Sequence, residues 1–274
     1  MIFGMSTACF FPHICTEKTI ELMAGMRICT AEVFFCCRSE FKKSFISDLK
    51  MRMADSGIKA YSIHALSLQF EPQLFSPYQR AKQDSLDVFE QVLEAGAELG
   101  AGVYVFHGPS NVKHARRFSV NYAYTAHCAD PLAEMAKDYG IKLAWENVHW
   151  CWYATPDFAA KLIPLLTTDN LYFTLDIKQA VQAGHDPCDY IDAAKNRLVN
   201  VHICDFERSI EAGIAPRLPF DGSMDFCRLK KALHDADYHL GMMLEVYSHN
   251  YQDYAQLESC FHQMENFFTQ SEPE

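Results

Sequence analysis

Histidines and carboxylates stand at the ends of apolar runs in this sequence, where a buried strand normally keeps apolar side chains. Six such ends read Ile63-His64, Phe106-His107-Gly108, Trp145-Glu146-Asn147, Leu175-Asp176, Val201-His202 and Leu244-Glu245. Burying an unpaired carboxylate costs several kcal/mol, so these groups need a cation, a partner or water. A single one is explained as a satisfied group in the core or at its rim. The whole set indicates a ligand-binding site.

The chemistry that these residue types support is metal binding. Three carboxylates crowded together repel one another unless a divalent cation lies among them. The sequence therefore predicts one divalent metal ion held by Glu146, Asp176, His202 and Glu245. An oxygen-rich set with one nitrogen suits Mn²⁺, Mg²⁺, Co²⁺ or Zn²⁺, and the residue types do not choose between them. His64 and His107, next to Glu146, are compatible with a second, nitrogen-rich site of the type that zinc prefers.

Eight apolar, β-branched runs carry these residues, each followed by a helical pattern. They span residues 2–7, 30–35, 58–64, 102–108, 141–147, 170–176, 197–203 and 241–247. The run Val103-Tyr104-Val105-Phe106 is apolar on both faces, as a strand of a helix-covered parallel sheet should be. Ser76-Pro77 and Thr155-Pro156 predict helix starts, and Gly57, Gly100 and Gly140 predict helix ends.

Eight strand–helix units in 274 residues predict an α/β fold, a single (β/α)8 TIM barrel domain over residues 1–274. The alternative is an open doubly wound sheet, which ordinarily has fewer strands and a Gly-rich turn after the first one. Residues 6–10 contain no glycine. In a barrel the carboxyl ends of all strands meet at one mouth, so the six polar ends are expected to face one cavity.

The composition excludes several classes of protein. With 49% hydrophobic and 22% charged residues, the chain is not a disordered tail or a collagen-like repeat. Its formal charge of −11 opposes binding to nucleic acid or to an anionic membrane surface. Neither a bilayer-spanning run nor a signal peptide is recognisable. Eleven cysteines without a C-x-x-C pattern indicate reduced thiols and a cytoplasmic location. A homo-oligomer is left open.

The order of the strand ends (His, His-Gly, Glu-Asn, Asp, His, Glu) resembles the xylose-isomerase-like TIM barrels. This superfamily contains sugar isomerases and epimerases, inosose and dehydroshikimate dehydratases, and AP endonucleases of the endonuclease IV type. The resemblance covers essentially the whole chain and implies that Glu146, Asp176, His202 and Glu245 ligate the shared metal. It also implies that His64 and His107 either hold an additional zinc, as in the endonucleases, or contact substrate, as in the isomerases.

Other positions extend or limit the resemblance. Arg217 opens a segment, residues 217–222, that resembles the substrate-side loop after the seventh strand, where an Arg commonly meets the ligand. Gln179 stands where the family often has His, and Trp152 where some epimerases have a second Glu. No His occurs between His202 and His234, so the third zinc of a trinuclear endonuclease lacks its ligands.

The resemblance and the chemistry together predict an enzyme that isomerises or epimerises a sugar, sugar phosphate or cyclitol. A metal that chelates a carbonyl and a neighbouring hydroxyl lowers the cost of the enolate between them, and carboxylates can exchange the α-proton. Glu146 and Glu245 are the predicted catalytic pair, with His107 as the strongest alternative base. Loss of a β-hydroxyl would make the reaction a dehydration. An AP endonuclease, which the acidic charge opposes, and a non-catalytic sugar-binding barrel are the competing classes.

Predicted substrate-binding residues are His64, His107, Lys178 and Arg217. Lys178 follows Asp176 by two residues and either faces a carbohydrate-like substrate or is a solvated loop lysine. The basic cluster at residues 113–117 either meets a phosphate or carboxylate of the substrate or begins a solvated helix.

Overall fold

The computed structural model describes residues 1–111, 119–209 and 213–270; the basic cluster at 113–117 lies outside them. The strands within these ranges are β1 (Ile2–Ser6), β2 (Thr30–Phe35), β3 (Lys59–Ala65), β4 (Val103–Phe106), β5 (Lys142–Glu146), β6 (Leu171–Asp176), β7 (Leu198–Ile203), β8 (Asp205–Ser209), β9 (Gly213–Arg217) and β10 (Gly241–Leu244). Eight of them close into a barrel in the order β1-β10-β7-β6-β5-β4-β3-β2, with every pair parallel. The predicted (β/α)8 barrel is confirmed.

Helices connect the barrel strands along its outside. They are α1 (Thr16–Gly25), α2 (Lys43–Ser56), α3 (Glu71–Leu74), α4 (Gln79–Leu99), α5 (Tyr122–Asp138), α6 (Asp157–Leu162), α7 (Ile177–Gln182), α8 (Pro187–Ala194), α9 (Phe226–Asp235) and α10 (Tyr254–Thr269). Gly57 and Gly100 end α2 and α4 in the left-handed conformation, as predicted. The start predicted at Ser76-Pro77 is two residues early, because Ser76 accepts the Tyr78 backbone N–H and closes a turn before α4 begins.

A tyrosine closes the barrel at the end opposite the strand carboxyl ends. The Tyr61 hydroxyl donates to the Val199 carbonyl at 2.5 Å and accepts the Gly241 N–H at 2.9 Å. It therefore links β3 to β7 and β10 across the interior. These contacts form the floor of the barrel, at the end away from the strand carboxyl ends.

Two irregularities in the barrel align polar residues above this floor. The β2–β3 register shifts between Ala31 and Glu32, which brings Glu32 opposite Ser62. The β6–β7 register shifts between Phe173 and Thr174, which brings Thr174 opposite Asn200. All four polar side chains are fully buried. Such bulges re-aim side chains and are frequent beside active sites.

The remaining strands, β8 and β9, form an antiparallel hairpin after β7, in which Asp205 pairs with Arg217. Within the described ranges, none of the helices combines the length and the apolar character needed to cross a membrane.

Candidate metal centre

Four of the predicted residues meet at the mouth of the barrel. Glu146 and Asp176 end β5 and β6, His202 lies near the end of β7, and Glu245 follows β10. All four are buried, and one ligating atom from each lies within 4.8 Å of the others. Metal–ligand bonds of about 2.0–2.5 Å place ligand atoms at most about 5 Å apart. This set, the quartet, has the dimensions of a site for one divalent ion.

One nitrogen lies at the centre of the quartet. The Nδ1 atom of His202 is 2.5 Å from Glu245 Oε2, 3.0 Å from Glu146 Oε1 and 4.0 Å from Asp176 Oδ2. A ring nitrogen carries at most one proton, so it cannot donate to three carboxylates at once. Buried atoms Glu146 Oε2 and Glu245 Oε2 make no well-formed hydrogen bond within the described residues, although His107 Nε2 and His202 Nδ1 respectively lie 2.5 Å away. Buried oxygens without a well-formed hydrogen bond indicate a site in which a cation lies among them.

The electrostatics of the quartet lead to the same conclusion. Burial opposes protonation of His202, but Glu245, Glu32 and Glu146 raise its pKa well above the ordinary value. Burial also raises the pKa of Asp176 to about 6; Lys178 opposes this shift, and Glu146 and Glu245 add to it. The three carboxylates thus favour positive charge on the groups beside them, and a divalent ion among them would supply such charge.

Asp176 is held rigidly by its neighbours. The Asn147 side chain accepts the Asp176 N–H at 2.7 Å and donates to its carbonyl at 2.9 Å. Oδ1 accepts the Gln179 N–H at 2.7 Å and so begins helix α7. Oδ2 remains directed at the quartet, 3.5 Å from Lys178 Nζ. The Glu-Asn sequence at the end of β5 therefore supplies both a ligand and the support for the next one.

His64 and His107 form a second group that shares Glu146. Their Nε2 atoms are 2.8 Å apart, and Glu146 Oε2 lies 2.5 Å from the His107 Nε2 and 4.0 Å from the His64 Nε2. On its other side, His107 Nδ1 is 2.5 Å from Ser67 Oγ. Glu71 accepts the backbone N–H groups of His107 and Gly108, both at 2.8 Å. His64, His107 and Glu146 can each offer a ligand atom to one ion.

Lys178 lies inside the site. Its side chain is only 7% exposed, and its Nζ is 5.1 Å from the centre of the Tyr247 ring. Although burial opposes the charge, Asp176, Tyr247 and Glu245 raise the pKa of Lys178 well above its usual value. The lysine therefore stays protonated next to the quartet.

The predicted residue Arg217 lies elsewhere. It ends β9, its side chain is 45% exposed, and its guanidinium pairs with Glu207 of β8 at 2.5 Å. The structure places it on the hairpin, and none of its contacts within the described residues reaches the quartet.

The two positions that depart from the family pattern have other partners. The Gln179 Oε1 accepts the His149 N–H at 3.2 Å and lies 2.6 Å from the His149 Nδ1. Trp152 packs edge-on against Phe75, with ring centres 5.5 Å apart. Trp150 lies nearer the site, 6.0 Å from the His107 ring.

Sequence reasoning missed Glu32. This residue is 0% exposed, and its Oε2 lies 3.0 Å from His202 Nε2. Burial opposes its ionisation, but His202 and His64 hold the pKa of Glu32 below its usual range. The available signal was a carboxylate in the middle of the apolar run at residues 30–35, whereas attention to strand ends selects only the last residue of each run.

Comparisons with known proteins agree with this architecture. The family described as xylose isomerase-like TIM barrel matches residues 19–264. An inosose dehydratase of Clostridium botulinum is 25% identical over 130 residues, which are 42% of this chain and 43% of that protein. The structure of a D-tagatose 3-epimerase-like protein is 18% identical, covers 98% of both chains and has a TM-score of 0.79. The structure of the IOLI protein with a binding zinc atom is 17% identical, covers 97% of this chain and 96% of that one, and has a TM-score of 0.75. At these identities the structural likeness shows the fold alone.

Proposed function

Because the chain belongs to the xylose isomerase-like TIM barrel family, we propose that it is a divalent-metal-dependent isomerase or epimerase of a sugar, sugar phosphate or cyclitol. The observation that carries the proposal is the crowding of three carboxylates around His202 Nδ1. The names of its structural neighbours, among them a D-tagatose 3-epimerase-like protein and a protein with bound zinc, support the same class. The proposed partner is a small carbohydrate-like molecule in the cytoplasm, not nucleic acid or a membrane.

The proposed metal ligands are Glu146, Asp176, His202 and Glu245. When bound there, a divalent ion would polarise a carbonyl and a neighbouring hydroxyl of the substrate and so acidify the hydrogen on the carbon between them. The residue types do not select between manganese, magnesium, cobalt and zinc. A second ion at His64, His107 and Glu146 is proposed as an addition to the first, since the three groups lie within ligand distance of one another.

The protein's own groups would move the proton. Within the quartet, Glu146 comes from β5 and Glu245 follows β10, and these two strands are not neighbours in the barrel. One carboxylate would take up the α-proton, and the other, protonated beforehand, would deliver its own proton. Delivery to the opposite face inverts the carbon, and delivery to the adjacent carbon, with transfer of the hydroxyl proton to the former carbonyl oxygen, moves the carbonyl. Lys178 keeps its charge in the site and would stabilise negative charge that develops on a substrate oxygen. His64 and His107 would orient the substrate if no second ion is bound.

Proton exchange with solvent tests this function. Metal-loaded protein is incubated in D2O with ketoses, inososes and their phosphates, and deuterium at the carbon next to the carbonyl is followed by NMR. Glu146→Gln and Glu245→Gln should each lower the exchange rate roughly 10²-fold or more, the usual contribution of a general acid or base. Metal content is measured for each variant, because both residues are also proposed ligands.

Glu40→Gln is the matched control, since Glu40 is a buried carboxylate that accepts from Cys36 and Thr16 and takes no part in the quartet. Its exchange rate should stay within about threefold of the wild type. A metal-loaded Glu245→Gln protein with unchanged turnover and exchange would eliminate Glu245 as a proton carrier and transfer the role to His107. No exchange with any of these substrates would contradict the isomerase and epimerase proposal.

A dehydratase is the second candidate, favoured by Trp152, which stands where some epimerases have a second Glu. Gln179, which contacts His149, stands where the family often has His. The inosose dehydratase similarity over 130 residues adds support. The reaction would begin with the same proton removal and continue with loss of a β-hydroxyl. Mass spectrometry of the products distinguishes the two, because only dehydration lowers the mass of the substrate by one water.

A further inference from the structure

Beneath the mouth, Glu32 lies at the point where the quartet meets the barrel interior. Its Oε2 accepts a hydrogen bond from Ser62 Oγ at 2.7 Å and one from Asn200 Nδ2 at 3.1 Å, and it lies 3.0 Å from His202 Nε2. The register shift between Ala31 and Glu32 is what places this carboxylate opposite Ser62. Glu32 is 0% exposed, so a substrate at the mouth does not contact it directly.

We propose that Glu32 is a positioning residue for His202 and His64. It determines which ring nitrogen of each histidine carries the proton, and therefore which nitrogen is free to bind a metal ion. The inference rests on the proposed metal centre. It concerns a residue that does not itself belong to the quartet. Carboxylates that accept the second N–H of a metal-ligating histidine fix its ring orientation and its proton, and they raise its basicity.

For His202 the argument follows from donor and acceptor roles. An ionised carboxylate can only accept, so a hydrogen bond between His202 Nε2 and Glu32 Oε2 requires the proton on Nε2. The Asn200 Nδ2 donor lies 3.1 Å from both atoms, and in this arrangement it donates to Glu32 Oε2. In the neutral ring this leaves Nδ1 with its lone pair directed at Glu146, Asp176 and Glu245. The opposite tautomer would place a proton among the quartet and a bare nitrogen against the Glu32 carboxylate. Glu32 therefore favours the one neutral form of His202 that can bind a cation.

For His64 the same carboxylate stands close by. Glu32 Oε1 is 3.8 Å from His64 Nδ1, and each of these buried atoms lacks a hydrogen-bond partner within the described residues. An approach of about 0.8 Å would form a normal hydrogen bond. A proton on Nδ1 would then leave the His64 Nε2 lone pair directed at the group that contains His107 and Glu146. With that approach, one carboxylate would hold both histidines through its two oxygens.

Glutamine at this position separates positioning from simple packing. Glu32→Gln keeps the size of the side chain but replaces one accepting oxygen with a donating NH2 group. If the NH2 group faces His202, it opposes the proton on Nε2; if it faces His64, it opposes the proton on Nδ1. Because Ser62 and Asn200 both donate to the Oε2 position, we expect the glutamine oxygen there and its NH2 group facing His64 Nδ1. The variant then opposes a proton on His64 Nδ1, and it also removes the negative charge that raises the basicity of His202.

Zinc affinity and ring-nitrogen NMR test the inference without an activity assay. Competition with a chromophoric chelator should show that Glu32→Gln binds Zn²⁺ about 10–100-fold more weakly than the wild type, the usual effect of losing such a carboxylate. Ser62→Ala is the control, because it removes a donor to the same oxygen and leaves the histidine contacts in place; its affinity should stay within about threefold. Equal zinc affinity in Glu32→Gln and the wild type would overturn the inference and leave the proposed metal centre intact.

NMR of the zinc-loaded wild type gives a second result that does not depend on any variant folding. The proton of the His202 ring should be found on Nε2, at low field and protected from exchange by the buried carboxylate, with none on Nδ1. A proton on Nδ1 would overturn the inference. A wild-type protein that binds no stoichiometric zinc, manganese or cobalt would overturn the proposed metal centre, and this inference with it.

Discussion

Gly108 is the position where a single methyl group should disturb both the fold and the site. It follows His107 after β4 and adopts φ +69°, in the left-handed region. A Cβ at this position would lie 2.5 Å from Cζ2 and 2.8 Å from Cε2 of Trp145. The indole cannot retreat easily, because it is fully buried and packs against Phe106 and Phe158 with ring centres 5.2 and 5.0 Å away.

The expected cost of Gly108→Ala has two parts. The left-handed conformation costs an L-residue roughly 1–2 kcal/mol. Forcing a methyl group into a packed site adds about 1–3 kcal/mol. A gain of about 0.4–1 kcal/mol from the less flexible unfolded chain offsets part of this. Gly100 provides the matched control, since it has φ +77° and nothing within 4 Å of its Cβ position. The difference between the two variants isolates the clash with Trp145, about 1–3 kcal/mol.

Urea denaturation of the wild type, Gly108→Ala and Gly100→Ala measures this difference as free energies of unfolding. The m-value should stay unchanged, because a methyl group adds almost nothing to the area exposed on unfolding. Displacing the indole would also break its hydrogen bond from Nε1 to the His107 carbonyl, 2.9 Å long. The His107 ring resonances should therefore move in Gly108→Ala and not in Gly100→Ala. Equal destabilisation of the two variants would refute the reasoning.

Two further predictions concern the quartet and its lysine. A divalent ion at a free concentration of 100 times its dissociation constant should raise the free energy of unfolding by about 2.7 kcal/mol. Elemental analysis should show that Asp176→Ala and His202→Ala lose stoichiometric metal. Full retention of metal in both variants would eliminate the quartet as the site. Lys178→Met should lower kcat/KM about 10–100-fold, the range for a hydrogen bond to a charged group. Lys142→Met is its control, because Lys142 also lies 5.1 Å over a tyrosine ring but at the start of β5; equal activity of the two variants would contradict a role for Lys178.

The sequence by itself determined the barrel and the membership of the quartet. Alternation of apolar runs with helical segments is a local property, so each strand can be recognised without its neighbours. Parallel strands all direct their carboxyl ends to one side of the sheet. A polar residue at the end of an apolar run is therefore assigned to the mouth by its position alone, which is why Glu146, Asp176, His202 and Glu245 could be grouped before any distance was known.

The tertiary structure decided which buried residues support the quartet and which positively charged side chain lies beside it. Glu32 and Asn200 stand in the middle of their runs, and a register shift at each strand pair determines that they face the barrel interior. The sequence predicts both Lys178 and Arg217 as substrate-binding residues. In the structure the first is buried beside Asp176, and the second pairs with Glu207 on the hairpin. Register and pairing depend on contacts between residues far apart in the chain, and a one-residue change in register reverses the face on which a side chain lies. Local patterns cannot carry that information, so the supports of the site appear only when the barrel has closed.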